Sequence, residues 1–181
     1  TKANVEGITV ASTAAVGVSE AEIKTGANVG MQVGNSLGDI NVGILTATAG
    51  SDGNPVGSLI ADATAKASGG GVLIGINSTN AVVDNKDTVT ATVGDDAKIT
   101  AGNIFMDAYS NVRQKADSRA ASVGLVGVGA AAANAKSETN VTAMVGLGAD
   151  ITAVNMFLGA TGATDNVALT ETGAFGLVGA A

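Results

Sequence analysis

The sequence predicts an all-β chain, a parallel β-solenoid built from repeats of about 52 residues. Three observations predict it. The chain repeats itself without a gap, its units alternate apolar and polar residues with period two, and its side chains are small.

The repeat comes first. Val89-Thr-Ala-Thr-Val-Gly94 returns as Val141-Thr-Ala-Met-Val-Gly146. Ala97-Lys-Ile-Thr-Ala101 returns as Ala149-Asp-Ile-Thr-Ala153, and Asn103-Ile-Phe-Met-Asp-Ala108 as Asn155-Met-Phe-Leu-Gly-Ala160. The offset is 52 throughout, and 12 of the 20 positions compared are identical, which marks a true repeat. Gly124-Leu-Val-Gly127 continues it as Gly176-Leu-Val-Gly179. A fainter copy lies near the N-terminus, where Thr13-Ala-Ala-Val-Gly17 resembles Thr90–Gly94 and Ala21–Gly26 resembles Ala97–Gly102, an offset of about 77. Offsets of 52 and 77 are near two and three times 26, so a structural rung of about 26 residues is expected, two to a unit. Seven such rungs at about 4.8 Å would make a rod about 30–35 Å long. Two stretches follow: 1–59 as degenerate N-terminal rungs, and 60–181 as regular repeats of one continuous segment.

Within a unit, Val89, Ala91 and Val93 fall on one face of a strand, with Thr90 and Thr92 on the other. After a Gly94-Asp-Asp turn, Ala97, Ile99 and Ala101 face one way, and Lys98 and Thr100 the other. After Gly102-Asn103, Ile104, Met106 and Ala108 alternate with Phe105, Asp107 and Tyr109. Val and Thr suit a half-buried pleated surface. Gly density opposes helix at about 1 kcal/mol per internal Gly. Ala130–Ala135, the one tempting helix, follows three glycines and reads as extended.

Composition agrees. The 181 residues weigh 17.3 kDa and include 26 Gly but no Trp, His or Cys and only four aromatics. Small residues suit a thin interior of stacked Ala, Val, Ile and Leu. Without His or Cys there is no Ser-His-Asp or Cys-His nucleophile, no Cys/His zinc site and no disulfide. The net charge of −7 and scattered bases, with Asp117 inside the one cluster at Arg113–Arg119, argue against a nucleic-acid partner. The most apolar stretch, Val123–Ala135, is too short and Gly-rich to insert in a membrane as a helix. The start at Thr1 and the end in an apolar run suggest an excerpt of a longer chain.

Several patterns invite a functional reading. Gly127-Val-Gly129-Ala-Ala-Ala132 has the form of a dinucleotide loop, but no helix is expected after it. Asp84, Asp87, Asp95 and Asp96 are expected in turns and could offer oxygens to Ca²⁺, though the strict Ca²⁺-loop patterns are absent. Asn77-Ser-Thr79 and Asn140-Val-Thr142 fit the N-glycosylation pattern. Outward Thr90, Thr92, Thr100, Thr142 and Thr152 suggest an ice-binding face, but Thr92 becomes Met144 and breaks the row. Sugar hydrolysis needs paired acids in a cleft, and the acids here are spread along the chain. No catalytic, cofactor or metal residue is assigned, and no enzyme activity is expected.

The stretch Ala65–Ala108, with Ser68-Gly-Gly-Gly71, Leu73-Ile-Gly75, Val89-Thr-Ala-x-Val-Gly94 and Ala97-x-Ile-Thr-Ala-Gly-Asn103, resembles the repeats of giant bacterial filamentous haemagglutinin- and leukotoxin-type exoproteins. The unit from Gly124-Leu-Val-Gly127 to Ala160 carries the same signature. The resemblance covers residues 60–181 well and 1–59 loosely. The offset of 77 and the Pro55-containing insert depart from it. It implies a right-handed parallel β-helix in a large exported protein displayed on the bacterial surface, often by two-partner secretion. The expected function is a structural stalk or fibre segment of a cell-surface adhesin. The alternative is an extracellular filament or surface-layer subunit that polymerises through open β-edges. The expected partners are neighbouring repeats of the same or identical chains, with any host-cell receptor bound elsewhere in the parent protein.

Overall fold

The structure, a computed structural model, describes residues 1–35, 38–52 and 61–181. Among them no helix occurs. Ten strands follow in order: β1 (Lys2–Ala11), β2 (Ala14–Thr25), β3 (Asn28–Val33), β4 (Asp39–Asp52), β5 (Ala61–Gly71), β6 (Ile74–Val93), β7 (Lys98–Val123), β8 (Val126–Val145), β9 (Asp150–Phe175) and β10 (Val178–Ala180). They form two sheets, one of β1, β4, β5, β7 and β9 and the other of β2, β3, β6, β8 and β10. All pairing between these strands is parallel. The chain crosses back and forth between the sheets, with β2–β3 lying end to end along β6 and β4–β5 along β7, so each parallel partner is reached after a crossover through the other sheet.

The register corrects the expected rung. Ile74 pairs with Val126, Lys98 with Asp150 and Val126 with Val178. Side chains bonded across these layers are 52 residues apart. One layer therefore consumes the whole 52-residue unit, as one long strand in each sheet, and no pairing falls at 26. The described chain stacks three to four layers, about 15–20 Å deep at ~4.8 Å each, where seven rungs were expected. The offset of 77 is also corrected: Ala14 pairs with Ile74, and the N-terminal layer runs 60 residues ahead of the next. The extra length lies chiefly where eight residues separate Asp52 from Ala61 and only two separate Asn111 from Gln114. The Pro55-containing insert falls there, at 53–60, outside the described residues.

The alternation read from sequence holds. Val89, Ala91 and Val93 are buried, as are Ala97, Ile99 and Ala101. At Gly102-Asn103 the phase shifts by one residue, and Ile104, Met106 and Ala108 take over the interior. The pairing skips Gly102 on both sides, so this is a local interruption of the ladder. Ala130–Ala135 is extended within β8.

The two sheets face each other across one interior. Near the turn at Gly94–Ala97 it is apolar, with Val89, Val93, Ile99, Ile104 and Met106 against Ala47, Ala49, Ala91 and Ala108. Each such Ile, Val or Met contributes about 1.5–3 kcal/mol by leaving water. Farther along, Ala61, Ala63, Ala65, Ala81 and Ala116 let the sheets come close. The interior is not wholly apolar, which departs from expectation. Thr79 and Ser118 hydroxyls share a 2.7 Å hydrogen bond across it. Ser110 donates to buried Asp87 (3.0 Å), and Gln114 donates to the Lys136 carbonyl (3.0 Å). Asn77 is buried and donates to the carbonyls of Gly69 (3.2 Å) and Ala121 (2.6 Å), one in each of two neighbouring layers. Gly17 makes room for it, since a Cβ there would run into Asn77 Oδ1, and Gly129 is its register partner on the other side. These bonds offset part of the cost of burial, although Asn77 Oδ1, Gln114 Oε1 and Ser122 Oγ find no partner among the described residues.

The turns stack as the strands do. Asp95 Oδ1 accepts from the Leu147 amide (2.8 Å), and the Asp96 amide donates to the Leu147 carbonyl (2.8 Å). Gly148 answers Asp96 one layer on, and both take left-handed φ, +70° and 54°. Such φ suits Gly and is tolerated by Asp.

Candidate functional site

Apart from the inward Asp87, the charged side chains described stand on the outer faces, and the register fixes what each meets. Every charged residue of 126–177 pairs with one of opposite sign in the layer before it. Lys136 lies beside Asp84, Glu138 beside Lys86, Asp150 beside Lys98, Asp165 beside Arg113 and Glu171 beside Arg119. Three of these close as ion pairs: Lys86–Glu138 at 3.3 Å, Arg113–Asp165 at 3.2 Å and Arg119–Glu171 at 3.4 Å. The alternation runs on into the N-terminal layers. Lys24, Asp84 and Lys136 form one column, and Asp39, Lys98 and Asp150 another. A third reads Glu6, Lys66, Arg119, Glu171, with Lys66 bound to Glu6 at 3.0 Å. Its two central cations are neighbours, but a carboxylate flanks each.

Asp117 sits in the middle of this surface and is 4% exposed. Arg119 donates to both its oxygens (2.9 and 3.1 Å), and Lys115 approaches at 3.1 Å. The Arg119 guanidinium, helped by Lys115, holds the Asp117 carboxyl below its usual range against the opposing pull of burial. Lys136 and Lys86 likewise lower Glu138, and Lys66 lowers Glu6. Glu138 raises Lys136 and Glu22 raises Lys24, with Asp84 adding to each. The basic cluster at Arg113–Arg119 is thus neutralised by acids of its own and adjacent layers.

The remaining sequence patterns are dispersed. Asp84 and Asp87 were expected in turns but lie inside β6, Asp84 outward and Asp87 inward, where Asp87 also accepts from the Ala27 amide at 2.8 Å. Asp95 and Asp96 do occupy the turn. Among the described residues no three His, Cys, Asp or Glu side chains stand close enough to hold a metal ion. Gly127–Ala132 lies at the start of β8, just after the bend at Gly124–Leu125, and is followed by strand, not helix. Asn77 points inward, so it has no surface on which to carry a sugar, whereas Asn140 is exposed. Thr90 stacks on Thr142 and Thr100 on Thr152, but Gly30 and Asn41 precede them, so no Thr row forms. No helix among the described residues is long and apolar enough to cross a membrane.

The sign reversals are the feature that comparison for identity passes over. The signal is in the sequence at the 52-residue offset, but only the pairing turns it into contact. One more surface stands out. Among the described residues, β9 pairs only with β7, and β8 beyond Val128 only with β6. Their far edges present unpaired backbone groups and half-open apolar side chains. Met156 and Leu158 are about 40% exposed, while Ile104 and Met106 in the same columns are fully buried. No protein family, curated protein or solved structure matches the chain.

Proposed function

We propose that the chain is a β-solenoid segment, coiled right-handed, that serves as a rigid non-catalytic stalk in a large exported adhesin on the bacterial cell surface. The observation that carries this reading is the in-register stacking of whole 52-residue layers, with side chains bonded to their counterparts one layer away. Asn155 donates to Asn103 at 2.9 Å and Gln114 to Asn166 at 3.2 Å. Each layer contacts only its neighbours, so length scales with the number of layers and stability adds up layer by layer. Such a rod carries a distal binding region away from a surface without itself holding a ligand.

The rival reading, a filament that polymerises end to end, draws on the unpaired edges of β8 and β9. The charges weigh against it. A second copy laid in register on that edge sets its Lys24 over Lys136 and its Asp39 over Asp150, or its Glu6 over Glu171. Electron microscopy separates the two. A stalk gives discrete rods whose length follows the number of 52-residue units in the gene. Long fibres from the 181-residue chain alone would overturn the stalk reading.

A further inference from the structure

The open edge of the β8–β9 layer is selective. We propose that it takes one further parallel strand layer whose charges are reversed, an acid over Lys136 and a base over each of Glu138, Asp150, Asp165 and Glu171. The inference rests on the stacked-layer reading above for its geometry, and on the charge columns for its selectivity.

Three observations lead there. The edge itself is unsatisfied, because the outer backbone groups of β9 and of β8 beyond Val128 have no strand partner among the described residues. Such an edge is a template for another strand. The interior is unfinished on the same side. Val141, Ala143, Ile151 and Ala153 pack against the buried cluster yet stay only partly covered, and Met156 and Leu158 are more open still. A layer above would bury them as their own layer buries Ile99, Ile104 and Met106. Finally, the charges specify which layer. Like charges directly opposite on neighbouring strands are destabilising, and opposite charges stabilise. Along each column the sign changes at nearly every step, and all five charges of the outermost layer follow that rule.

A second copy of this chain placed by its first layer breaks the rule at Lys136 and Asp150. The layer formed by residues 74–125 obeys it at all five positions, through Asp84, Lys86, Lys98, Arg113 and Arg119. It also obeys a second alternation in the interior. Its Asn77 would stand over Gly129 as it now stands over Gly17. The occupant is therefore a strand-forming segment with the chemistry of residues 74–125, not the first layer of an identical chain.

The test extends the full chain. Residues 74–125 are duplicated directly after Leu177, which places the new layer in the 52-residue register. A second version carries Asp84→Lys, Lys86→Glu, Lys98→Asp, Arg113→Asp and Arg119→Glu in the duplicated layer only. Hydrogen exchange of the β8 and β9 amides is the readout. The sign-matched layer is expected to slow exchange about tenfold or more beyond the sign-reversed layer, the scale of several cross-strand charge pairs. In about 1 M salt, where charges are screened within ~3 Å, the difference should collapse. Equal protection by both layers at low salt would overturn the charge rule and leave the stacked-layer reading standing. Protection by neither would overturn both.

Discussion

Ile104 is the sharpest probe of the interior. It is fully buried in β7, between Leu45 and Met156 in its column and within the cluster of Val89, Val93 and Met106. Ile104→Ala removes three carbons, about 2.4 kcal/mol of transfer free energy at ~0.8 per methylene. The cavity left behind adds to this. Met156 is 41% exposed and free to lean in, so the site can partly collapse. A total of about 3 kcal/mol follows, in the lower half of the range for such substitutions. For a chain of this size that lowers the melting temperature by about 6–12 °C. The assay is urea or thermal unfolding followed by circular dichroism at the strand band. Ile8, 81% exposed on β1, is the matched control, and Ile8→Ala should change stability by less than about 0.5 kcal/mol. A loss below about 1 kcal/mol at Ile104, or an equal loss at Ile8, would refute the assignment of inward and outward faces.

Three other outcomes are expected. Asp117→Asn strips a carboxylate from Lys115 and Arg119, leaving Arg119 with Glu171, and should destabilise by about 1–3 kcal/mol in the same assay, with Thr161→Ala, exposed farther along β9, near neutral. Acid should destabilise the protein through Asp117, Glu138 and Glu6, whose folded-state pKa values are lowered. Their contribution is complete above the unfolded values of about 3.9–4.3 and is lost as pH falls through the lowered folded values, so unfolding midpoints should be flat from about pH 7 to 5 and drop below about pH 4. Gly148→Ala forces a left-handed residue to carry a Cβ that runs into Asp96 and should cost about 1–2 kcal/mol or more by denaturant titration.

Much of the fold was legible because period two is a strong signal when side chains are small. Val89, Ala91 and Val93 announce their face, but Gly102-Asn103, which reads as a turn between short strands, instead shifts the phase inside one continuous strand. The layer length was not legible. Strands of 20 and 26 residues, as in β6 and β7, are far longer than the usual 5–6, so a 52-residue unit reads more naturally as two rungs. Asp84 and Asp87 misled for a related reason. Polar residues in sequence suggest a turn, but here one faces water and the other is held inside by Ser110 and the Ala27 amide. The charge columns needed pairing before their signs could mean anything. A residue's effect here depends on what stands one layer away, and that neighbour lies 52 residues off.

Alternating charge also limits how such a chain can lengthen by gene duplication. Copying a single 52-residue unit beside itself sets like on like at the column positions. A copy of the last layer would stack Lys136 on Lys136 and Asp150 on Asp150. Copying two adjacent units together, about 104 residues, keeps every sign change intact and returns Asn77 to a glycine neighbour on both sides. Inheritance then favours even steps. Related genes should differ in length by pairs of layers, and odd steps should be accompanied by charge substitutions at the new junction.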